Sequence, residues 1–309
     1  MKLSIVSTLY NSEATLESFI QKCRAAAKKF GGEHEIVLVN DGSPDGSLDL
    51  AKSLAAGQND IVIINLSRNF GHHPAMMTGL LAAQGEYVFL LDSDLEEDPD
   101  WLHHFDDVRK ATGADMVYGV QKARKGGWLE RTAGHAFYAV YKRLNKLEMP
   151  KNVVTARLMT RRYVDAINGY DERVVFLLGI LTHAGFHQEA VKVEKLSRGA
   201  SSYSLRRRLS LAVDAITSFS SAPMRFVFYL GLAIFAAAIL VALYAVLVWL
   251  FIAQAPGGWT SLIISVWMLG GLTLSSIGLV GLYLGRVFDE VKARPRAIIS
   301  DVFRPGDRD

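Results

Sequence analysis

Asp92, Ser93 and Asp94 follow directly on the apolar run Tyr87–Leu91. Two carboxylates one residue apart at the end of a buried strand can hold a divalent cation against an anion. A nucleotide diphosphate, which leaves with its charge, needs such compensation. In that reading Asp92 faces the ribose, Asp94 binds the cation and Glu96 assists it; an Asx-turn or a solvated helix cap would use the same residue types. Asp41, in Asn40-Asp41-Gly42-Ser43, offers a carboxylate either to a nucleobase N–H or to its own turn. Arg68 and Asn69 follow another strand and suit nucleotide recognition or, for Arg68, a surface ion pair. His72 and His73 are adjacent, a poor spacing for two ligands on one helix face. Cys23 is the only cysteine, so neither a disulfide framework nor a cysteine-based zinc site is expected. The two histidines are therefore read as packing or hydrogen-bonding residues. There is no G-x-G-x-x-G, Walker or G-x-S-x-G pattern.

The elements that must position these residues alternate. Strands are predicted at 3–9, 35–39, 61–66, 87–91 and 115–120. Helices are predicted from Ser12 onward, at 47–56, 72–83 and 99–111. The alternation predicts an α/β domain with a mainly parallel sheet. Ligands of such sheets gather at the carboxyl ends of the strands, where Asp41 and Asp92/Asp94 fall. Residues 128–200 are less regular; a helix is expected over 128–147 and an outer strand over 187–195.

Residues 226–285 form sixty consecutive positions without Asp, Glu, Lys or Arg. Two spans are predicted there, 226–253 and 262–285, each long enough to cross roughly 30 Å of hydrocarbon. Gln254-Ala255-Pro256-Gly257-Gly258 breaks them apart. Arg206, Arg207, Arg208 and Arg225 precede the pair, and Arg286, Lys292, Arg294 and Arg296 come after it. Basic flanks keep to the cytoplasmic side, so the spans form a hairpin with both termini inside. An amphipathic juxtamembrane helix is expected over 205–219. The net charge of +3 is too small to suggest nucleic acid, and no such partner is expected. The N-terminus lacks the apolar stretch of a signal peptide.

Taken together, the chain resembles the polyprenyl-phosphate glycosyltransferases of the dolichyl-phosphate mannose synthase type, within the inverting family two. The resemblance rests on Leu9-Tyr10-Asn11-Ser12-Glu13, Val39–Ser43, Leu66–Gly71, Asp92–Leu95 with Pro99, and Val117–Val120. Farther on it rests on Gly199–Tyr203, Ser218–Pro223 and Ala293–Arg296. It implies a GT-A domain over 1–200, a juxtamembrane helix over 201–225, two transmembrane helices over 226–285 and a basic cytoplasmic tail over 286–309. The implied reaction moves one sugar, with inversion, from a nucleotide diphosphate sugar, UDP-linked by expectation, to polyprenyl phosphate, which in a bacterium is undecaprenyl phosphate. Mg²⁺ or Mn²⁺ assists, held by Asp94 and Glu96. The enzyme would be a multi-pass protein of the inner membrane, and relatives can assemble as tetramers.

By the same resemblance, Asp41 contacts the base and Asp92 the ribose. Tyr10, Asn11, Glu13, Arg68, His183, Lys195, Ser201 and Tyr203 belong to the substrate sites. Lys122, Arg124, Arg131, Arg157 and Lys195 are candidates to hold phosphates. Two departures stand out. The family's Gly-Asp-Phe-Arg reads Thr155-Ala156-Arg157 in its last three positions, so Thr155 replaces an acid. A later Arg-Phe-x-Arg-Gly reads Val175–Gly179, so Val175 and Leu178 replace arginines. A phosphate monoester is largely dianionic at neutral pH and needs little help from a base. Transfer to a hydroxyl lipid or glycan, and a catalytically silent scaffold, are the competing readings.

Overall fold

A computed structural model describes residues 1–121, 152–172, 175, 177–195, 258–304 and isolated stretches of 224–247. The chain divides into two compact units. The first comprises 1–135, 147–204 and 294–309, and the second 136–146 and 205–293.

The first unit is built on an eight-stranded sheet. Its elements run β1 (Leu3–Leu9), α1 (Glu13–Phe30), β2 (His34–Asn40), α2 (Ser47–Ala55), β3 (Ile61–Leu66) and α3 (His72–Ala82). They continue with β4 (Tyr87–Leu90), α4 (Trp101–Thr112), β5 (Met116–Gln121), β6 (Val153–Thr160), α5 (Arg161–Asn168), α6 (Leu177–His183) and β7 (Gln188–Val193). After the second unit, β8 (Ile299–Phe303) completes the sheet. The strand order is β7-β5-β6-β4-β1-β2-β3-β8. β1 pairs parallel with β2 and β4, β2 with β3, and β5 with β7. β6 runs antiparallel between β4 and β5, and β8 antiparallel along β3. The sheet is thus mixed but mostly parallel.

Alternation along each strand sends its side chains to two cores, which is why the central strands read as unbroken apolar runs. Ile5, Ile36, Leu38, Ile63 and Phe89 meet Leu16, Phe19 and Ile20 of α1 and Leu102 and Phe105 of α4. Val6, Val37, Val39, Val88 and Leu90 meet Met76 and Leu80 of α3 and Tyr163, Val164 and Ile167 of α5. α3 lies close on the sheet because Gly79 has no side chain; a Cβ there would stand 2.5 Å from Val6 Cγ1.

The predicted strands and helices of the first 121 residues are all present, within a residue or two at their ends. β6, α5, α6 and β8 have no counterpart in the sequence reading. The tail is more than a basic extension, since Ile299–Phe303 closes one edge of the sheet. The expected helices over 128–147 and 205–219 lie outside the described residues.

In the second unit, α7 (Trp259–Val291) spans 33 residues. Its segment Met268–Val291 is long and apolar enough to cross a membrane, with a mean hydropathy of 1.5 and none of it buried. Thr273, Ser275 and Ser276 donate their hydroxyls to the carbonyls of Leu269, Gly271 and Leu272, each at 2.8 Å, so these polar groups need no water. The span expected over 226–253 is described only in part.

Candidate functional site

The carboxyl ends of β1, β2, β3 and β4 converge at one edge of the sheet. Leu9 is level with Asn40, and Asn40 with Asn65. Each strand there gives way to a loop bearing one of the sequence motifs.

The Asp-x-Asp turn is fixed by its middle residue. Ser93 is buried and donates to the Thr8 carbonyl at 2.9 Å. Its hydroxyl also meets that of Ser12 at 2.9 Å, and its carbonyl accepts from Thr15 Oγ1 at 2.9 Å. With Ser93 drawn inward, Asp92 and Asp94 flank it. Asp94 accepts from the Glu96 N–H at 2.9 Å; burial and the neighbouring Asp92 lift its carboxyl above the ordinary range. A carboxylate under that pressure favours a cation.

Asp92 is the more enclosed of the two. His72 Nε2 stands 3.3 Å from its Oδ1. That contact is close enough for attraction between charges, and the buried Oδ1 has no hydrogen-bond donor among the described residues. Burial would raise the Asp92 carboxyl, yet His72, the Thr155 hydroxyl and Lys195 outweigh burial and hold it low. His72 Nδ1 lies 3.1 Å from Thr8 Oγ1, so the ring bridges β1 and the end of β4. Burial would lower the His72 ring, but Asp92, Asp41 and Glu97 favour its charged form and raise it overall. The hydrogen-bonding role read for His72 therefore falls inside the acidic site. His73 Nδ1 meets the Val175 carbonyl at 3.2 Å.

Glu97 escapes the sequence reading altogether. It is fully buried; its Oε1 accepts from the Thr155 N–H at 2.8 Å and lies 3.1 Å from Lys195 Nζ. Its Oε2 accepts from the Asp92 N–H at 3.4 Å. One carboxylate thus joins the Asp-x-Asp turn, β6 and the chain just after β7. Burial and the nearby Asp92 push it up to about 7. In sequence, Glu96-Glu97-Asp98 reads as an exposed acidic run, and nothing local distinguishes its middle member. Lys195 also reaches Glu96 at 3.6 Å, so it faces the acids rather than solvent. Burial alone would lower its ammonium; Glu97 and Asp92 raise it overall.

Arg157 reaches the site because β6 sets it level with Leu90, at the end of β4. Its buried guanidinium donates to the carbonyls of Thr155 at 2.7 Å and Val154 at 3.0 Å. Burial pulls the group below its ordinary range, partly offset by Tyr163, Glu97 and Asp92.

Asp41 is buried at the second motif. Its two oxygens accept from Phe70 N–H at 2.7 Å and Gly71 N–H at 3.0 Å, which ties the turn after β2 to the loop after β3. Burial raises the carboxyl despite those bonds. Gly42 lets the two loops touch. Its φ is +58°, and a Cβ would lie 2.4 Å from the Asn69 nitrogen. Arg68 stacks its guanidinium 4.1 Å over the Phe70 ring and donates to the Asn69 carbonyl at 2.9 Å.

Tyr10 is exposed beside Asn11, whose φ is +53°. The Asn11 N–H donates to Ser43 Oγ at 2.8 Å. Glu13 is engaged elsewhere. Its carboxylate accepts from the Gly46 N–H at 3.0 Å while its own N–H donates to Asp45 at 3.1 Å, so the starts of α1 and α2 cap each other. His183, at the end of α6, is exposed and bonded to the Tyr170 hydroxyl at 2.8 Å. The structure thus gathers Asp92, Asp94, Glu96, Lys195 and Arg157 and joins Asp41 to the loop of Arg68. Lys122, Arg124, Arg131, Ser201 and Tyr203 lie outside the described residues.

The family model described as glycosyl transferase family 2 matches residues 4–167, more than half of the chain. The chain belongs to glycosyl transferase family 2. A Mycobacterium tuberculosis protein named as a glycosyltransferase is 44% identical over 98% of this chain and 89% of its own. A prophage-derived bactoprenol glucosyl transferase of Shigella flexneri is 33% identical over 98% of this chain and 99% of its own. A prophage bactoprenol glucosyl transferase homolog of Escherichia coli K12 is 32% identical, again over 98% and 99%.

Proposed function

We propose that the protein is an inverting polyprenyl-phosphate glycosyltransferase of the dolichyl-phosphate mannose synthase type. It moves one sugar, glucose by analogy with the bactoprenol glucosyl transferases, from a UDP-sugar to undecaprenyl phosphate. The observation that carries the reading is the convergence of Asp41, Asp92 and Asp94 at one sheet edge, in a chain matched along 98% of its length by such transferases. Tyr10 and Asp41 would meet the base. Asp92, whose buried Oδ1 has no hydrogen-bond donor among the described residues, would meet the ribose. Lys195 and Arg157 supply positive charge beside the diphosphate.

A hard divalent cation fits this donor set. Among the described residues no three His, Cys, Asp or Glu side chains are placed to hold a metal ion by themselves. The cation would then be held by Asp94 and Glu96 with the donor's own phosphates, the pattern Mg²⁺ takes when it binds through one or two carboxylates. When bound it compensates the charge of the departing diphosphate. The chain's own residues do the rest. Ser93 and Glu97 fix the turn, His72 sets the Asp92 side chain, and the acceptor phosphate attacks in its dianionic form. Thr155 in place of an acid costs this acceptor little.

Parity supports the membrane hairpin. With β7 and β8 in one sheet on one side of a bilayer, the chain between Val193 and Ile299 would cross it an even number of times. With Met268–Val291 as one crossing, the uncharged run 226–253 supplies the other. Both termini then share the cytoplasmic side with the domain.

The test incubates purified protein with a panel of nucleotide sugars, Mg²⁺ or Mn²⁺ and undecaprenyl phosphate, and identifies the lipid product by mass spectrometry. Chelation and Asp94→Ala should each lower turnover at least a hundredfold. Turnover by Asp94→Ala at the wild-type rate would reject its role, and faster transfer to a hydroxyl lipid would reject the acceptor.

A further inference from the structure

The C-terminal strand is linked to both loops that enclose Asp41, to one directly and to the other through a row of side chains. β8 sets Asp301 opposite Asn65 and Ile299 opposite Leu66. Just past the ladder, the Ser67 N–H donates to the Ile298 carbonyl at 2.9 Å. Ser67 opens the loop whose Phe70 and Gly71 amides hold the Asp41 carboxylate.

A second link runs through side chains across three neighbouring strands. Asn65 Nδ2 donates to Asp301 at 3.3 Å, Asn40 Nδ2 to Asn65 Oδ1 at 2.8 Å, and the Ser43 N–H to Asn40 Oδ1 at 3.4 Å. This row ends in the turn that carries Asp41. Asn40 is buried and the Asp301 end exposed, so the Asn40–Asn65 link, at 2.8 Å, is the firmest of the three. Two anchors hold the strand's own ends. Lys52 Nζ sits 4.1 Å over the Phe303 ring, and Arg296 donates to the Tyr170 carbonyl and lies 3.2 Å from Asp171.

We propose that β8 is a working wall of the donor site, holding the Asn40–Ser43 turn and the Ser67–Gly71 loop in the shape that receives a nucleoside diphosphate. The segment leaving the last helix would thereby set donor affinity. The inference rests on the donor-site reading of Asp41 and its loops. Its physical basis is that β3 without β8 is an edge strand, and the loop after it loses its bond to Ile298. Loops of that kind open locally at low cost. A loop that must be ordered on binding weakens the ligand it binds.

The test uses full-length protein in detergent, a form ending after Arg296, and Asn65→Leu. Amide exchange at Phe70 and Gly71 is measured without nucleotide. Affinity is then measured for whichever of UDP, GDP, CDP and ADP the wild type binds best. Both variants should lose at least tenfold protection at Phe70 and Gly71, with α1 unchanged. They should lose about tenfold in nucleotide affinity, or about 1.4 kcal/mol. The KM for undecaprenyl phosphate should hold. A peptide of residues 297–304 should restore both losses in the shortened form. Unchanged protection and affinity in folded Asn65→Leu overturns the proposal, even where the shortened form does not fold. Protection lost equally from α1 overturns it as well, because β8 would then only hold the fold. A wild type that binds none of the four nucleotides overturns the donor-site reading instead, and the exchange measured without nucleotide tells the two failures apart.

Discussion

Gly42→Ala tests the junction between the two loops that enclose Asp41. At φ +58° an alanine takes the left-handed conformation that L-residues disfavour, which costs about 1 kcal/mol. The new Cβ would also lie 2.4 Å from the Asn69 nitrogen and 2.6 Å from the Arg68 carbonyl carbon, both backbone atoms that cannot rotate away. Forcing such loops apart adds about 1–3 kcal/mol. The sum, about 2–4 kcal/mol, should lower the melting temperature by about 4–16 °C for a domain of this size. Two other glycines separate the two costs. Gly57 has φ +73° and nothing within 4 Å, so Gly57→Ala carries only the backbone cost. Gly79 meets valine side chains, at 2.5 and 3.0 Å, so Gly79→Ala carries the packing cost without the left-handed one, set against about 1 kcal/mol gained from alanine's helix propensity in α3. Thermal unfolding of the three variants, monitored by intrinsic fluorescence, should place Gly42→Ala lowest against Gly57→Ala, and nucleotide binding should weaken in Gly42→Ala alone. Equal melting of Gly42→Ala and Gly57→Ala would refute the argument that the loops touch through that glycine.

Glu97→Ala strands the Thr155 and Asp92 amides and the Lys195 ammonium, and should cost about 3–5 kcal/mol, read by denaturant unfolding; Glu97→Gln, which keeps an acceptor, should cost less. Ser93→Ala removes the bonds to the Thr8 carbonyl and Ser12, and should lose about 1–2 kcal/mol together with donor affinity, measured by calorimetry. Asp45 should govern acid stability. Although partial burial would raise it, hydrogen bonds from Ser43, Ser47 and the Glu13 N–H hold its carboxyl down to about 2. A depressed acid stabilises the fold above its unfolded value near 3.8 and loses that contribution as pH falls through 2. Allowing for solvent screening, the effect is about 1 kcal/mol. Asp45→Ala should flatten the melting-temperature profile between pH 4 and 2, and a profile parallel to wild type would count against the assignment.

Much of the site is legible without coordinates. Asp41 and Asp92/Asp94 come directly after apolar runs, and a parallel sheet collects such ends. Beyond residue 121 the chain is less readable. β6 (Val153–Thr160) carries Arg157 in its middle, and a buried arginine breaks the apolar pattern that marks a central strand. α5 does show a signal, with Tyr163, Val164 and Ile167 on one face, but its eight residues are too few for periodicity to decide. β8, with Ser300 and Asp301 in its core, is polar enough to pass for a tail.

The sequence alone determined the alternating core elements, the acidic turns and the uncharged sixty residues, because each is a local pattern of burial or charge. Only the tertiary structure decided that Glu97 is the buried carboxylate joining three segments, that His72 stands against Asp92, and that Ile299–Phe303 closes the sheet beside the loops around Asp41. Those facts depend on which distant segments meet, and no local pattern encodes a contact between residues 97 and 195 or between 65 and 301.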